Sequence, residues 1–202
     1  MNSQTVRQSI DGPAGPIECA LDLPAGPAVG LAVIAHPHPL HGGTMDNKVV
    51  QTVARAFLQR GWRTVRFNFR GIGGSAGQWD EGRGEIDDMA AVIAHHVQDG
   101  EALALAGFSF GAYVASQAAA RLGHDRVRHL VLVGPATRNF AVAAVPEHTL
   151  VIHGEQDDVV PLAATLDWAR PQNLPVIVVP GVGHFFHGQL PLLKNLVARD
   201  LA

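Results

Sequence analysis

Apolar and β-branched residues gather in short runs at 17–23, 31–35, 64–69, 103–106, 129–133, 149–152 and 176–179, and each run reads as a strand. Between the later runs, apolar positions recur at helical spacing over 47–59, 85–97, 111–121, 162–170 and 189–201, the pattern of helices with one buried face. Strand and helix therefore alternate. Parallel neighbours need crossover connections, and these strands are too continuously apolar for a half-solvated sheet. The pattern thus predicts an α/β fold: a mostly parallel, doubly wound sheet with helices on both faces. The first run is expected as an antiparallel strand added at the edge. Gly/Pro clusters at 12–16 and 24–27 sit at turns, and no repeat or linker interrupts the pattern, so residues 1–202 are expected to form one domain.

Composition narrows the functional classes. A chain of 202 residues can bury a continuous core, and its formal charge of −3 comes without a Lys/Arg cluster. Nucleic acid and anionic membranes are therefore not expected partners. Cys19 is the only cysteine, which rules out an internal disulfide and a cysteine-rich metal site. The first sixteen residues lack the basic start and apolar stretch of a secretion signal, and no later run has transmembrane length; the expected location is cytoplasmic.

In open α/β sheets, functional loops gather at the carboxyl ends of the strands, so chemistry should follow the apolar runs directly. After Leu103-Ala104-Leu105-Ala106 comes Gly107-Phe108-Ser109-Phe110-Gly111 and then a helix of small residues, which is G-x-S-x-G in a strand, turn, helix context. The glycines have a steric reason: side chains at 107 and 111 would collide with neighbouring backbone while the turn holds Ser109 outward in a strained conformation. The helix beyond Ser109 aims unpaired amides and its positive end at the site, where they favour an oxyanion; Phe110 N–H is the expected first donor. On the pentapeptide alone, a glycine-rich turn whose serine only caps the helix is the alternative.

A serine hydroxyl needs a base, and the base needs a third group to hold its tautomer. Two later loops supply candidates: His153-Gly154-Glu155-Gln156-Asp157-Asp158-Val159-Val160-Pro161 after one strand, and Gly181-Val182-Gly183-His184-Phe185-Phe186 after the next. The order Ser109, Asp157, His184 is the order α/β-hydrolases use. From Ile17 onward the chain resembles that superfamily, in particular its small dienelactone-hydrolase-like, lidless esterase branch. The resemblance implies Ser109 as nucleophile, His184 as base and Asp157 as acid, because the family pattern H-G-x-x-D-x-x-V-P puts the acid at 157. Asp158 is its rival, and His187 is the alternate base, although it departs from the motif and is expected to open the last helix.

The loop from His36 to Gly43 occupies the place where the family carries its second oxyanion donor, commonly after a His-Gly pair, but here Pro37 replaces the glycine. Prolines have no N–H, so His38 N–H is the best match and Leu40 N–H the fallback.

Other features compete for attention. His36, His38 and His41 have no carboxylate at a ligand spacing, so no metal is expected, and no cofactor is needed. Residues 71–76 fit a dinucleotide fingerprint formally, but the sequence that follows them cannot open the required helix; the stretch resembles the R-G-x-G-x-S loop of α/β-hydrolases. Glu85, Asp87 and Asp88 complement a helix dipole. Trp79 is a candidate to line the pocket, and Phe108, Phe110, Phe185 and Phe186 are candidates for an apolar wall, some of them core.

Residues 134–148 leave room only for a short loop where many relatives insert a lid. The expected activity is cleavage of a small ester or related activated acyl bond of a small-molecule substrate through an acyl-enzyme. Fold and triad do not fix the leaving group, so a thioesterase, a peptidase, a perhydrolase or a C–C lyase remain open, as does a ligand-binding protein without turnover.

Overall fold

The computed structural model describes residues 5–202. Eight strands form one sheet: β1 (Val6–Gly12), β2 (Gly15–Asp22), β3 (Leu31–Ala35), β4 (Arg63–Phe67), β5 (Leu103–Phe108), β6 (Val127–Val133), β7 (Leu150–Gly154) and β8 (Ile177–Val179), in the order β1-β2-β4-β3-β5-β6-β7-β8. The pairs from β4 to β8 are parallel, while β2 runs antiparallel to both β1 and β4. The predicted doubly wound α/β architecture holds, with one correction at the edge. Strand β2 is antiparallel as expected, yet the edge belongs to β1, which pairs with it across the turn at Pro13 and Ala14. The polar alternation of Val6-Arg7-Gln8-Ser9-Ile10 concealed β1, because an edge strand with only Ile10 fully buried carries almost no hydrophobic signal.

Side chains on successive strand residues face opposite ways, and the two faces receive different helices. On one face Ala32, Ile34, Ala104 and Ala106 meet α1 (Lys48–Gln59) and α5 (Leu190–Asp200) through Val49, Val53, Phe57, Leu193 and Val197. On the other, Val33, Val65, Leu105 and Leu130 meet α2 (Arg83–His96) and α3 (Phe110–Leu122) through Met89, Val92, Val114 and Ala118. The helix α4 (Leu162–Ala169) joins this second face through Trp168 and Ala169.

Residues 134–149, between β6 and β7, contain turns but no helix or strand, so no lid is present. Polar contacts strap this loop down. Gln117 Nε2 donates to Ala141 O at 2.7 Å, Trp168 Nε1 to Val142 O at 3.1 Å, and Val145 N–H to Gln172 Oε1 at 2.9 Å. Among the described residues no helix is long and apolar enough to cross a membrane.

The loop after β3 is pinned by a buried imidazole. His36 Nδ1–H donates to Pro37 O at 2.6 Å and Nε2 accepts from Phe69 N–H at 3.0 Å, tying β3 to the end of β4. Both ring nitrogens are thereby used by backbone, and burial, only partly offset by the Pro37 bond, lowers the His36 pKa to about 4. The unfolded chain then takes up a proton that the folded chain refuses as pH falls from 6.5 toward 4, so stability is full above that window and declines through it. We expect His36 alone to account for a loss of about 3 kcal/mol across the window, because each tenfold difference in proton affinity between the folded and unfolded chain is worth roughly 1.4 kcal/mol. Urea unfolding at a series of pH values should give a shallower acid slope for His36→Gln than for the wild type, and a lower stability near neutrality. Identical slopes would show that His36 does not carry the acid sensitivity.

Candidate active site

The turn from β5 into α3 follows from three residues. Ser109 sits at φ 57° and ψ −116°, a strained backbone for a residue with a side chain. A methyl group at Gly107 would fall on the Gly111 carbonyl, and one at Gly111 on the carbonyls of Ala35 and His36. The sequence argument for both glycines therefore holds, and the second clash shows that the end of β3 crosses directly over the start of α3. Ser109 N–H donates to Val133 O at 2.9 Å, and Ser109 O accepts from Ala112 N–H at 3.0 Å and Ala136 N–H at 3.3 Å. The backbone is fully engaged. The hydroxyl makes no hydrogen bond to any described residue, and Ser109 keeps 7% of its surface exposed.

His184 and Asp157 come together beside this turn. His184 Nδ1 donates to Asp157 Oδ2 at 2.6 Å, and the second oxygen, Oδ1, accepts from Val159 N–H at 3.0 Å and Val160 N–H at 2.7 Å. Burial pulls the Asp157 carboxyl upward, but the His184 and Val160 hydrogen bonds and the two neighbouring imidazoles outweigh it, and the net pKa is lowered. Asp157 is thus held as a carboxylate. Its rival Asp158 is exposed and lines an outer cleft. The loops that carry acid and base are stitched to each other, Gln156 N–H to Val182 O at 2.9 Å and Gly181 N–H to Glu155 Oε2 at 2.8 Å.

Gly134 joins the two halves. Its neighbours Val133 and Ala136 bond the Ser109 backbone, while a methyl group on Gly134 itself, at φ +49°, would stand 3.4 Å from His184 Nδ1 and 3.6 Å from Asp157 Oδ2. No motif flagged this residue; its signal was only its place at the end of a strand.

The loop over α3 separates the two candidates for the second amide. Leu40 N–H is directed at His38 Nδ1, 3.3 Å away, whereas His38 N–H, like Phe110 N–H, has no acceptor among the described residues. The His38 ring lies 5.3 Å from that of Phe110 and 4.5 Å from that of Trp79, which is half-buried and lines a shallow cleft with Pro39 and Leu40. His187 is exposed and stands before α5 rather than opening it; Gln189 caps that helix and Pro191 sits in its first turn. Phe108, Phe110 and Phe186 are buried, and Phe185 is exposed.

Two further residues escaped the sequence reading. His153, which begins the acid-loop motif, is fully buried; its Nε2–H donates to Val160 O at 2.9 Å and lies 3.4 Å from Asp157 Oδ2, while its Nδ1 has no partner. Burial lowers its pKa against the opposing pull of Val160 and Asp157, so the ring is neutral. Asp88, one of the acidic residues read as complementing a dipole, grips Arg70 through Nε at 3.0 Å and Nη2 at 2.8 Å and holds the 70–82 loop beside Trp79. That loop opens no helix before Arg83, which disposes of the dinucleotide fit. Among the described residues no group of three His, Cys, Asp or Glu side chains could hold a metal ion.

The family model described as alpha/beta hydrolase fold matches residues 40–148. An alpha-beta serine hydrolase homologue from Coxiella burnetii is 41% identical, with a TM-score of 0.87 over 100% of this chain and 99% of that one. A serine hydrolase without lid from Xanthomonas campestris is 37% identical, with a TM-score of 0.90 over 100% and 95% of the two chains. An uncharacterised protein of Rickettsia prowazekii is 30% identical over 193 residues, covering 88% of this chain and 80% of that protein. The chain belongs to the α/β-hydrolase family, among its small lidless serine-hydrolase-like members.

Proposed function

We propose that the chain is a serine hydrolase that cleaves small esters, or related activated acyl bonds, through an acyl-enzyme. The observation that carries this reading is the 2.6 Å bond from His184 to a buried Asp157 carboxylate, beside a strained serine whose hydroxyl is free. With Nδ1–H committed to Asp157, the remaining nitrogen of His184, Nε2, is the base. It takes the Ser109 proton as Oγ attacks the acyl carbon. The carbonyl oxygen, now negative, is received by Phe110 N–H and His38 N–H, and the positive end of α3 adds to that field. As the tetrahedral intermediate collapses, the bond to the leaving oxygen breaks and that oxygen takes the proton back from Nε2. Water, activated by the same nitrogen, then releases the acid and restores Ser109.

Fixed amides and a fixed imidazole supply electrostatic stabilisation without reorganisation at the moment of reaction. The strapped 134–149 loop argues for small acyl groups, since nothing folds over the site to cover a long chain.

A fluorophosphonate probe should label Ser109 in the wild type and fail to label Ser109→Ala or His184→Ala; a folded wild type that stays unlabelled would refute the nucleophile. Steady-state hydrolysis of p-nitrophenyl acetate should drop about 10⁴-fold in Asp157→Asn, whose amide favours the wrong imidazole tautomer. With acyl chains of increasing length, kcat/KM should peak at short chains, and a steady rise beyond octanoate would contradict the uncovered site. Gly134→Ala introduces a methyl group against the His184–Asp157 pair at a left-handed φ, and kcat should fall about ten-fold with some loss of Tm. An unchanged kcat would mean that the pair tolerates displacement.

A further inference from the structure

Phe185 is the exposed member of four phenylalanines near the site, with 43% of its surface accessible. A lone exposed aromatic says little, but this one is held outward by strain. Phe186 carries φ +53°, one of only four non-glycine residues at positive φ among the described residues, and another of the four is Ser109. The turn is closed by Phe186 N–H to Gly183 O at 3.2 Å and Gln189 N–H to Phe186 O at 2.9 Å. It buries the Phe186 ring in the cluster around Leu193 and Val197, leaving Phe185 in the wall of an open cleft. The Phe185 ring stands edge-on to that of His184 at 5.1 Å and 5.9 Å from that of Phe108. Val159, Pro180 and Val182 continue the apolar wall, Asp158, His187 and Gln189 give it a polar rim, and His184 itself lines the cleft.

The chemistry proposed above, on which this inference rests, says which part of a substrate enters the cleft. The proton on His184 Nε2 must reach the leaving oxygen, so the leaving group lies on the imidazole side of the tetrahedral carbon. The carbonyl oxygen points the other way, toward Phe110 and His38. His184 lines this cleft, whereas Trp79 and Leu40 line another one, so of the two it is the cleft that adjoins the base.

We propose that the cleft between Val159 and Phe185 is the leaving-group subsite and that Phe185 is its platform, selecting esters of planar, apolar alcohols such as phenols. When the bond between the acyl carbon and the aryl oxygen breaks, the electron pair leaves with that oxygen. The oxygen takes the proton from Nε2, and the phenol departs across the Phe185 ring, leaving the acyl group on Ser109 Oγ. Ring-on-ring contact discriminates planar from non-planar groups, and the polar rim accommodates a hydroxylated edge.

Phenyl acetate and trifluoroethyl acetate form the same acetyl-enzyme, so their deacylation is common and any difference lies in acylation. Stopped-flow acylation rates for both esters should be measured in the wild type, Phe185→Ala, Phe185→Tyr and Val159→Ser. Their difference in intrinsic reactivity cancels when each variant is compared with the wild type. Phe185→Ala should lower the phenyl-to-trifluoroethyl ratio about ten-fold, Val159→Ser should lower it by a smaller factor, and Phe185→Tyr should keep it. Equal losses for both esters would mean that Phe185 merely props His184, and an unchanged ratio would mean that the cleft is unused; either overturns the proposal. Failure of the serine-hydrolase reading looks different: the wild type would neither acylate nor bind a fluorophosphonate at Ser109.

Discussion

The end of β3 lies against the first turn of α3, and it can do so only because residue 111 has no side chain. Everything at the carboxyl edge of the sheet is arranged around that approach. It brings the 36–38 loop over the helix start, where neither His38 N–H nor Phe110 N–H has an acceptor among the described residues. It also forces the chain to reverse sharply between β5 and α3, which is why Ser109 carries the strained backbone. The strain is bearable because Ser109 N–H and C=O both have partners on the neighbouring segment, Val133 and Ala136. The order of strands adds the rest: β5 is flanked by β3 and β6, with β7 and β8 beyond β6, so the 36–38 loop reaches Ser109 from one side and Asp157 and His184 from the other.

The acid illustrates how a buried charge is kept. Burial is the largest single influence on Asp157 and by itself pushes the carboxyl pKa upward. Two backbone amides on one oxygen and an imidazole on the other reverse the outcome. The same amides fix the rotation of the carboxylate, so that Oδ2 points toward His184 at 2.6 Å, with His153 Nε2 farther off at 3.4 Å. His153 stands behind this group with one nitrogen given to Val160 O and the other unpaired in the packed interior, an arrangement that costs stability and leaves the acid loop no alternative packing.

Much of this was legible from residue order alone, and the exceptions have physical causes. The parallel strands announced themselves because both of their faces are covered, giving runs such as Leu31–Ala35 with no polar interruption. Strand β1 did not, because a polar edge strand alternates around very few buried residues. Ser109, Asp157 and His184 stood out as candidates because each follows a strand in a glycine-bearing motif; Gly107, Gly111 and Gly154 have steric duties there, while Gly181 supplies a positive φ. Gly134, His153 and Asp88 did not, since their importance lies in what approaches them from other parts of the chain. A glycine whose left-handed φ sets it against an imidazole 50 residues away has no local signature. What distinguishes His38 from Leu40 is the side chain of His38, which accepts the Leu40 amide at 3.3 Å and supports the reading of His38 N–H as the donor.

Four of the histidines at this edge of the sheet, His36, His38, His153 and His184, are divided by their environments into different chemical species. His36 has both nitrogens satisfied by backbone in the packed interior, so it can neither accept a proton near neutrality nor reach a substrate. His153 is also buried, and its only donor faces a carbonyl, which leaves it neutral and mute. His38 is half-buried beside His41, and both burial and that neighbour hold its charge down; in the proposed reaction it acts through its backbone amide and not its ring. His184 holds Asp157 Oδ2 at 2.6 Å on Nδ1 and has no partner for Nε2 among the described residues, whereas His153 lies 3.4 Å from the same oxygen through the nitrogen that donates to Val160 O. A carboxylate on Nδ1 favours an imidazolium the moment one forms, and an open Nε2 gives that proton somewhere to come from and go to. The rings at this edge are thus set apart by the atom each is made to hold, and His184 is the one whose nitrogen hydrogen-bonds the Asp157 carboxylate.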